Sequence, residues 1–231
     1  MKVVVYGATG MVGSGVVREC LADPTVTQVL AVGRSVAAQS DPKLRNLVLP
    51  DFKNYSAFDS ELSGCDACFF CLGVSSAGMS EAAYRQATFD ITLAAARYLL
   101  GLNPRMIFIY VSGSGTDSSG TGRIMCARVK GDTENSLLAL PFKAAYMLRP
   151  GVIQPLHGIR SKTRSYQLFY SSFKFVLPVL RALFPNHILT TSQVGQAMLN
   201  LVKYGYPKQV LETRDIAAVS VRSPTAPPAS R

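Results

Sequence analysis

Apolar runs alternate with segments of helical periodicity up to Pro150. Six short apolar runs are typical of strands buried on both faces, and the segments between them place apolar residues at helical spacing. The predicted strands cover residues 2–6, 28–33, 44–49, 67–71, 106–111 and 144–149, and the predicted helices cover 11–22, 54–62, 80–100 and 122–140. This order predicts an α/β fold, namely a doubly wound parallel sheet of the Rossmann type with helices on both faces.

The pattern changes after Pro150. A predicted loop at 151–161 leads into helices at 162–184 and 192–204, a short strand at 209–212 and a frayed tail at 220–231. We therefore expect a single domain over 1–231, in which 151–219 form a small, mainly helical appendage on the substrate side. The helix at 162–184 has an aromatic face and a cationic face. This pattern favours a cover over the substrate cleft, with membrane-surface contact or an oligomer contact as the alternatives.

A glycine-rich loop follows the first predicted strand directly. The sequence GATGMVG joins that strand to an apolar helical face, which is the context in which such loops bind the diphosphate of a dinucleotide. One glycine permits the tight turn, a second lets the backbone approach the phosphates, and a third allows close helix–strand packing. The helix N-terminus then offers free N–H groups to the phosphates. The predicted phosphate-binding residues are Gly7, Thr9, Gly10, Met11, Val12 and Gly13.

The end of the second predicted strand favours NADP over NAD. An acidic residue at this place would bind the ribose hydroxyls of NAD, whereas this chain has Arg34 followed by Ser35. A guanidinium group and a hydroxyl group suit a 2′-phosphate. The alternative is an arginine that is merely solvated at the surface. After the third predicted strand, Asp51 and Phe52 are placed to meet the adenine ring.

Composition and charge exclude several classes of protein. The chain has 231 residues, of which 48% are hydrophobic and 16% charged, so a sizeable core is available. The formal net charge is +10, and no acidic residue occurs from 135 to 211. This basic stretch favours an anionic cofactor, an anionic small-molecule substrate or an anionic membrane surface. Because no nucleic-acid-binding motif accompanies it, we expect no nucleic-acid partner, and we expect a monomer or a homodimer.

The five cysteines predict core thiols rather than a metal site. Three of them lie in CDACFFC, which is read here as a buried strand. At a rise of about 3.3 Å per residue, Cys68 and Cys71 face opposite sides of the sheet, so one metal ion does not reach both. Reduced thiols are typical of the cytosol. The N-terminal apolar run is interrupted by glycine and lacks a cleavage signal, so we expect a cytoplasmic location.

Six motifs occur in an order that resembles the short-chain dehydrogenase/reductase superfamily. They are GATGMVG, DF after the third strand, FFCLG, YVSGSGTD, ARVKGDTE and LRPGVI. The set is similar to the atypical members of the Tat-interacting-protein type, which are often described as NAD(P)-dependent epimerase/dehydratase-like. The resemblance covers residues 1–155. It implies that the cofactor is also bound by Cys71, Leu72, Gly73, Pro150, Gly151 and Val152.

The catalytic part of this resemblance is incomplete. Members of the superfamily use a serine, a tyrosine and a lysine, with the tyrosine four residues before the lysine on one helix. The resemblance assigns Lys130 to the lysine position, where it would bind the nicotinamide ribose. The tyrosine position holds Cys126, and the serine position holds Gly113 between Ser112 and Ser114. Cys126 is a candidate replacement acid, and either serine is a candidate hydrogen-bond donor or a loop residue that satisfies its own backbone.

Two further side chains are candidates for substrate contact. Tyr84 lies near the start of the long predicted helix, where a core or surface tyrosine is the alternative interpretation. His157 follows LRPGVI and would border the substrate cavity, with a solvated loop histidine as the alternative. We therefore expect an NADP(H)-dependent oxidoreductase or epimerase-like enzyme for a small carbonyl or alcohol substrate, with an altered catalytic set. The alternative is a non-catalytic NADP(H)-binding regulator or assembly factor.

Overall fold

The structure of the protein is a computed structural model that describes residues 1–50, 52, 55–157 and 188–222. Within these ranges the strands are β1 (Lys2–Tyr6), β2 (Gln28–Gly33), β3 (Leu44–Val48), β4 (Ala67–Phe70), β5 (Ile107–Val111), β6 (Ala144–Arg149), β7 (Val152–Gln154), β8 (Ile188–Thr190) and β9 (Val210–Glu212). The helices are α1 (Met11–Ala22), α2 (Asp59–Leu62), α3 (Glu81–Arg85), α4 (Ile91–Leu102), α5 (Met125–Leu138), α6 (Thr191–Tyr204) and α7 (Thr213–Ser220).

Seven of these strands form one parallel sheet in the order β3-β2-β1-β4-β5-β6-β9. The predicted doubly wound Rossmann fold is confirmed. The strand order reverses between β1 and β4, and in open sheets of this kind ligands bind in the crevice outside the carboxyl ends of the strands at such a reversal. The fold therefore directs attention to the loops that follow β1 and β4.

The sheet separates two hydrophobic cores. Along β1, Val3 and Val5 belong to the core that contains α1 and α6, whereas Val4 and Tyr6 belong to the core that contains α4 and α5. All four side chains are fully buried. A strand covered on both faces needs apolar residues at every position, which explains why β1 is a continuous apolar run rather than an alternating one.

The predicted bounds of the first six strands agree with the structure to within one residue at each end. Three predicted helices differ. The helix expected at 54–62 is only the short α2, preceded by a 3-10 turn at Ser56–Phe58. The helix expected at 80–100 is divided into α3 and α4 by a π-helical turn at Gln86–Asp90. The helix expected from 122 begins only at Met125. The carboxylate of Asp117 accepts hydrogen bonds from the backbone N–H groups of Ser119 and Gly122, and these bonds hold the segment before α5 in a loop.

The described part of 151–219 packs closely against the Rossmann sheet and its helices. Strand β9 extends the main sheet beside β6, and α6 packs against α1. A Cβ atom at Gly15 would lie 2.6 Å from Cβ of Thr191, and one at Gly195 would lie 2.7 Å from Cγ of Glu19. Glycine on both helices thus permits a helix contact too close for alanine. This packing makes α6 an integral layer of the domain.

Three more elements depart from the sequence prediction. The expected loop at 151–161 contains β7, which pairs with β8, and the expected tail is preceded by α7. The predicted amphipathic helix at 162–184 and the tail beyond 222 lie outside the described residues. In the ranges that the structure describes, no helix is long and apolar enough to cross a membrane.

Candidate functional site

The carboxyl ends of four neighbouring strands bring the predicted site residues to one edge of the sheet. The backbone N–H of Cys71, after β4, donates to the carbonyl of Tyr6 at the end of β1. The backbone N–H of Ser114, after β5, donates to the carbonyl of Pro150 after β6, at 2.9 Å. These bonds connect the loops laterally. The predicted cofactor segments therefore share one edge, although they are distant in sequence.

The glycine-rich loop after β1 is closed by contacts that exclude side chains. Gly7 has φ of +78°, and a Cβ there would lie 2.8 Å from the backbone of Leu72. A Cβ at Gly13 would lie 2.2 Å from the carbonyl oxygen of Gly7. Both distances are impossible for real side chains, so the loop needs glycine at both positions. The result is a bare backbone turn between β1 and the start of α1, next to the end of β4.

The N-terminus of α1 opens onto this turn. The helix begins at Met11, with Gly10 at the N-cap, and no side chain caps it. The first turn holds no acidic residue. The first N–H groups of a helix have no intrahelical partner and carry the positive end of the helix dipole. The backbone of Met11, Val12 and Gly13 thus fits an anionic group such as a diphosphate, and Thr9 lies in the turn beside it.

Arg34 and Ser35 follow β2 and are exposed. Among the described residues, no acidic side chain forms an ion pair with Arg34. The guanidinium group is therefore available to a ligand. Phe52 is buried, and its ring lies 6.3 Å from that of Tyr6, so its side chain belongs to the core. Asp51 lies outside the described residues.

The segments after β4 and β6 lie at the same edge of the sheet. Cys71 and Leu72 are half-buried and Gly73 is exposed; Pro150 is buried, whereas Gly151 and Val152 are exposed. Burial raises the pKa of the Cys71 thiol to about 12, so this group stays protonated at neutral pH. Cys68 packs in the α4 side of the core and Cys71 against the α1 side. In the described part of the chain, no cluster of metal-ligating side chains occurs.

Lys130 extends from α5 to the end of β5. Its Nζ donates a hydrogen bond of 2.5 Å to the backbone carbonyl of Ser112. Burial lowers the pKa of this ammonium group, while Cys126 and Glu134 on the same helix partly oppose that effect. The ammonium group is therefore held in place by backbone, at the sheet edge where the predicted cofactor segments lie.

Gly113 is shaped for this lysine. Its φ is +145°, and a Cβ there would lie 3.3 Å from Nζ of Lys130. A serine at this position would adopt a rare backbone conformation and crowd the ammonium group. The replacement of serine by glycine therefore goes together with the close approach of Lys130 to the backbone.

The two serines that flank Gly113 differ in availability. Ser112 is buried, and its hydroxyl proton faces the carboxylate of Glu134 at 2.5 Å and the carbonyl of Leu148 at 3.1 Å. A hydroxyl group has one proton, so Ser112 has none left to donate to a substrate. Ser114 is exposed at the edge of the crevice. Cys126 is half-buried one helical turn before Lys130.

A buried charge network lies behind Lys130. The carboxylate of Glu134 is fully buried and accepts hydrogen bonds from Nε and Nη2 of Arg149. Arg149 also donates to Ser118 and Glu212. We did not predict this network from the sequence, although two signals were present. One is an acid four residues after Lys130, and the other is an arginine that ends an otherwise apolar strand.

Neither predicted substrate residue lies where we expected it. Tyr84 is 2% exposed and belongs to the interior beside Tyr110, so it is a core tyrosine. His157 has φ of +57° and is exposed. It lines a cavity of about 570 Å³ formed with Arg18, Glu19, Leu21, Ala22, Gln39, Ser40 and Asp41. That cavity lies along the second half of α1, whereas Lys130 lies at the end of β5.

Comparison with known proteins agrees with this geometry. Residues 3–118 match the model of the NAD dependent epimerase/dehydratase family. Protein fmp52, mitochondrial, from Emericella nidulans is 30% identical over 170 residues, which are 71% of this chain and 70% of that protein. Protein FMP52, mitochondrial, from Eremothecium gossypii is 28% identical over 155 residues, which are 66% of each chain.

Solved structures share the fold. An oxidoreductase of the short chain dehydrogenase/reductase family from Burkholderia thailandensis superposes with a TM-score of 0.66 at 17% identity, covering 94% of this chain and 92% of that one. DesIV, a dTDP-glucose 4,6-dehydratase from Streptomyces venezuelae crystallised with NAD and TYD, gives a TM-score of 0.66 at 15% identity and covers 95% and 80%. At these identities the likeness shows the fold alone.

The expected cytoplasmic location is contradicted by these relatives. The fungal proteins from Emericella nidulans, Eremothecium gossypii and Candida albicans are all named as mitochondrial. The expectation rested on the lack of a recognisable signal at the N-terminus, which is weak evidence about a compartment.

Proposed function

Because this chain belongs to the NAD dependent epimerase/dehydratase family, and so to a family that uses a nicotinamide cofactor, we propose that it is an NADP(H)-dependent oxidoreductase or epimerase-like enzyme. Its substrate is a small carbonyl compound or alcohol, and the basic composition of the chain favours an anionic one. The mitochondrial names of the fungal relatives favour a mitochondrial setting for this activity.

One observation carries the proposal: a bare, uncapped helix N-terminus and a backbone-held lysine lie at the same edge of the sheet. The turn from Gly7 to Gly13 fits the diphosphate, and Arg34 at the end of β2 fits a phosphate on the adenosine ribose. Lys130 at the end of β5 would orient the nicotinamide ribose. When bound, the cofactor supplies or accepts the hydride, and the protein supplies binding and orientation.

We expect Arg34→Ala to weaken NADPH binding by about 10- to 100-fold and NADH binding by less than about 2-fold, because a charge-assisted contact to phosphate contributes about 1.5–3 kcal/mol. Fluorescence titration of the two reduced cofactors measures both affinities. Arg45→Ala is the matched control, since Arg45 is another exposed arginine on the neighbouring strand β3. Equal losses for NADPH and NADH in Arg34→Ala would show that Arg34 does not bind the 2′-phosphate.

The proton step is the altered part of the proposed reaction. A substrate carbonyl that accepts hydride also needs a proton. The candidates in this chain are Cys126, one turn before Lys130, and a water molecule, with Ser114 as an exposed hydrogen-bond donor. A cysteine side chain is shorter than that of tyrosine. A substrate that takes its proton from Cys126 therefore has to bind closer to α5 than the substrate of a relative with tyrosine at this position.

A second candidate function is a non-catalytic NADP(H)-binding regulator or assembly factor. The hydroxyl of Ser112 supports it, because its proton faces Glu134 and not the crevice, and Cys126 replaces the expected tyrosine. Such a protein would retain the cofactor-binding half of the site without a proton donor.

Turnover separates the two functions. We expect the protein to oxidise NADPH with at least one member of a panel of aldehydes, ketones and quinones, at a rate at least about 10 times that of Lys130→Ala. Absorbance of NADPH at saturating cofactor measures the rate, and product analysis identifies the reduced compound. NADPH binding without turnover across the panel would favour the regulator instead.

A further inference from the structure

Ser112 connects two groups of opposite charge on α5. Its backbone carbonyl accepts the hydrogen bond of Lys130, and its side-chain hydroxyl donates to Glu134. Lys130 and Glu134 are four residues apart, so they lie on the same face of the helix, one turn from each other. One face of α5 thus contacts Ser112, at the end of β5, through both its backbone carbonyl and its side-chain hydroxyl.

The carboxylate of Glu134 is fully buried and anchored from a third element. Arg149, at the end of β6, donates to it through Nε and Nη2, and the arginine side chain is itself 13% exposed. A buried carboxylate is tolerated only when it is paired and hydrogen-bonded. Its two interactions therefore fix the relative positions of β5, β6 and α5 at the crevice.

We propose that Glu134 is a positioning residue that, through Ser112 and Arg149, fixes the backbone carbonyl by which Lys130 is held. The effect of this positioning on cofactor binding rests on the proposed function, because Lys130 is the group that would meet the nicotinamide ribose. The position of Lys130 is a property of the cofactor-free protein and is measured in that form.

The charges around Lys130 make the expected effect specific. On its own helix the titratable groups that act on it are Cys126 and Glu134, and the β5 end contributes the uncharged carbonyl of Ser112. Four elements that pack on α5 also carry charged or titratable side chains. These are Glu81, Tyr84 and Arg85 on α3, Asp90 in the π-helical turn, Arg97 on α4, and Arg149 on β6. Of these, Glu81 pairs with Arg128, Arg85 with Asp132 and Arg149 with Glu134.

The test measures the reactivity of Lys130 in cofactor-free protein. An amine-reactive acylating reagent labels only the neutral lysine, and mass spectrometry of the peptide that contains Lys130 gives the labelling rate as a function of pH. In Glu134→Gln we expect the midpoint of this profile to fall by about 1 pH unit, because the carboxylate that favours the ammonium form is gone. In Asp132→Asn, a control on the same helix whose partner is Arg85, we expect the wild-type midpoint.

Ser112→Ala keeps every charge and covers the case in which Glu134→Gln fails to fold. It removes only the hydroxyl that joins the carbonyl-bearing residue to Glu134. We expect Lys130 to be labelled at least about 3 times faster at high pH, where it is neutral in both proteins, since loss of one hydrogen bond is worth about that factor. NADPH affinity should fall by a similar factor.

Two results would overturn the inference: a folded Glu134→Gln protein with the wild-type midpoint, or a Ser112→Ala protein with the wild-type labelling rate. Failure of the proposed function has a different signature. In that case the wild-type protein does not turn over NADPH, whether or not it binds it, whereas the labelling results in the cofactor-free protein are unaffected.

Discussion

Gly131→Ala is expected to destabilise the protein by at least about 3 kcal/mol, which corresponds to a fall in Tm of about 6–12 °C for a domain of this size. The reason is steric. A Cβ at this position would lie 1.8 Å from the carbonyl oxygen of Asp117 and 2.4 Å from its carbonyl carbon. Backbone atoms cannot move aside as a flexible side chain can. Helix α5 would have to move away from the loop, and Lys130 with it.

Gly101→Ala is the matched control and should change stability in the opposite direction. Gly101 also lies within a helix, α4, but it is exposed and nothing lies within 4 Å of a Cβ there. Alanine is favoured over glycine in helices by up to about 1 kcal/mol. Urea unfolding of both variants measures the difference. If Gly131→Ala were as stable as Gly101→Ala, the close contact between α5 and the 117–118 loop would be absent in solution.

Arg149→Ala should destabilise the protein by about 3–5 kcal/mol, because it leaves the fully buried carboxylate of Glu134 without its cationic partner. Removal of one member of a buried pair costs more than the pair contributes, since the remaining charge stays desolvated. Lys208→Ala is the comparison. Lys208 pairs with Asp215 at the surface, where its side chain is 62% exposed, so its removal should change stability far less.

A double substitution separates the charge effect from lost packing. In Glu134→Gln/Arg149→Ala no carboxylate remains at position 134, so the double variant should be clearly more stable than the sum of the two single changes predicts. Urea unfolding with a double-mutant cycle gives this coupling. Additive losses would indicate that Arg149 acts through packing alone.

The glycine-rich turn after β1 was predictable because its signal is local. Gly7, Gly10 and Gly13 lie within one strand–turn–helix unit, and the turn geometry and the close helix start are set by residues a few positions apart. The same holds for the strands, since burial on both faces produces continuous apolar runs that can be counted in the sequence. Lys130 was singled out by the family resemblance, and its contact with the Ser112 carbonyl at the end of β5 comes from the structure.

The sequence alone therefore determined the Rossmann fold and the glycine-rich turn after β1. The tertiary structure decided which side chains are occupied or buried. The hydroxyl of Ser112 donates to Glu134, and Tyr84 lies in the core. It also decided that α6 is a layer of the domain, through contacts such as that between Gln196 and Glu19, which are 177 positions apart. Such contacts depend on how distant elements pack, and spacing along the chain does not encode which partner a buried side chain will meet.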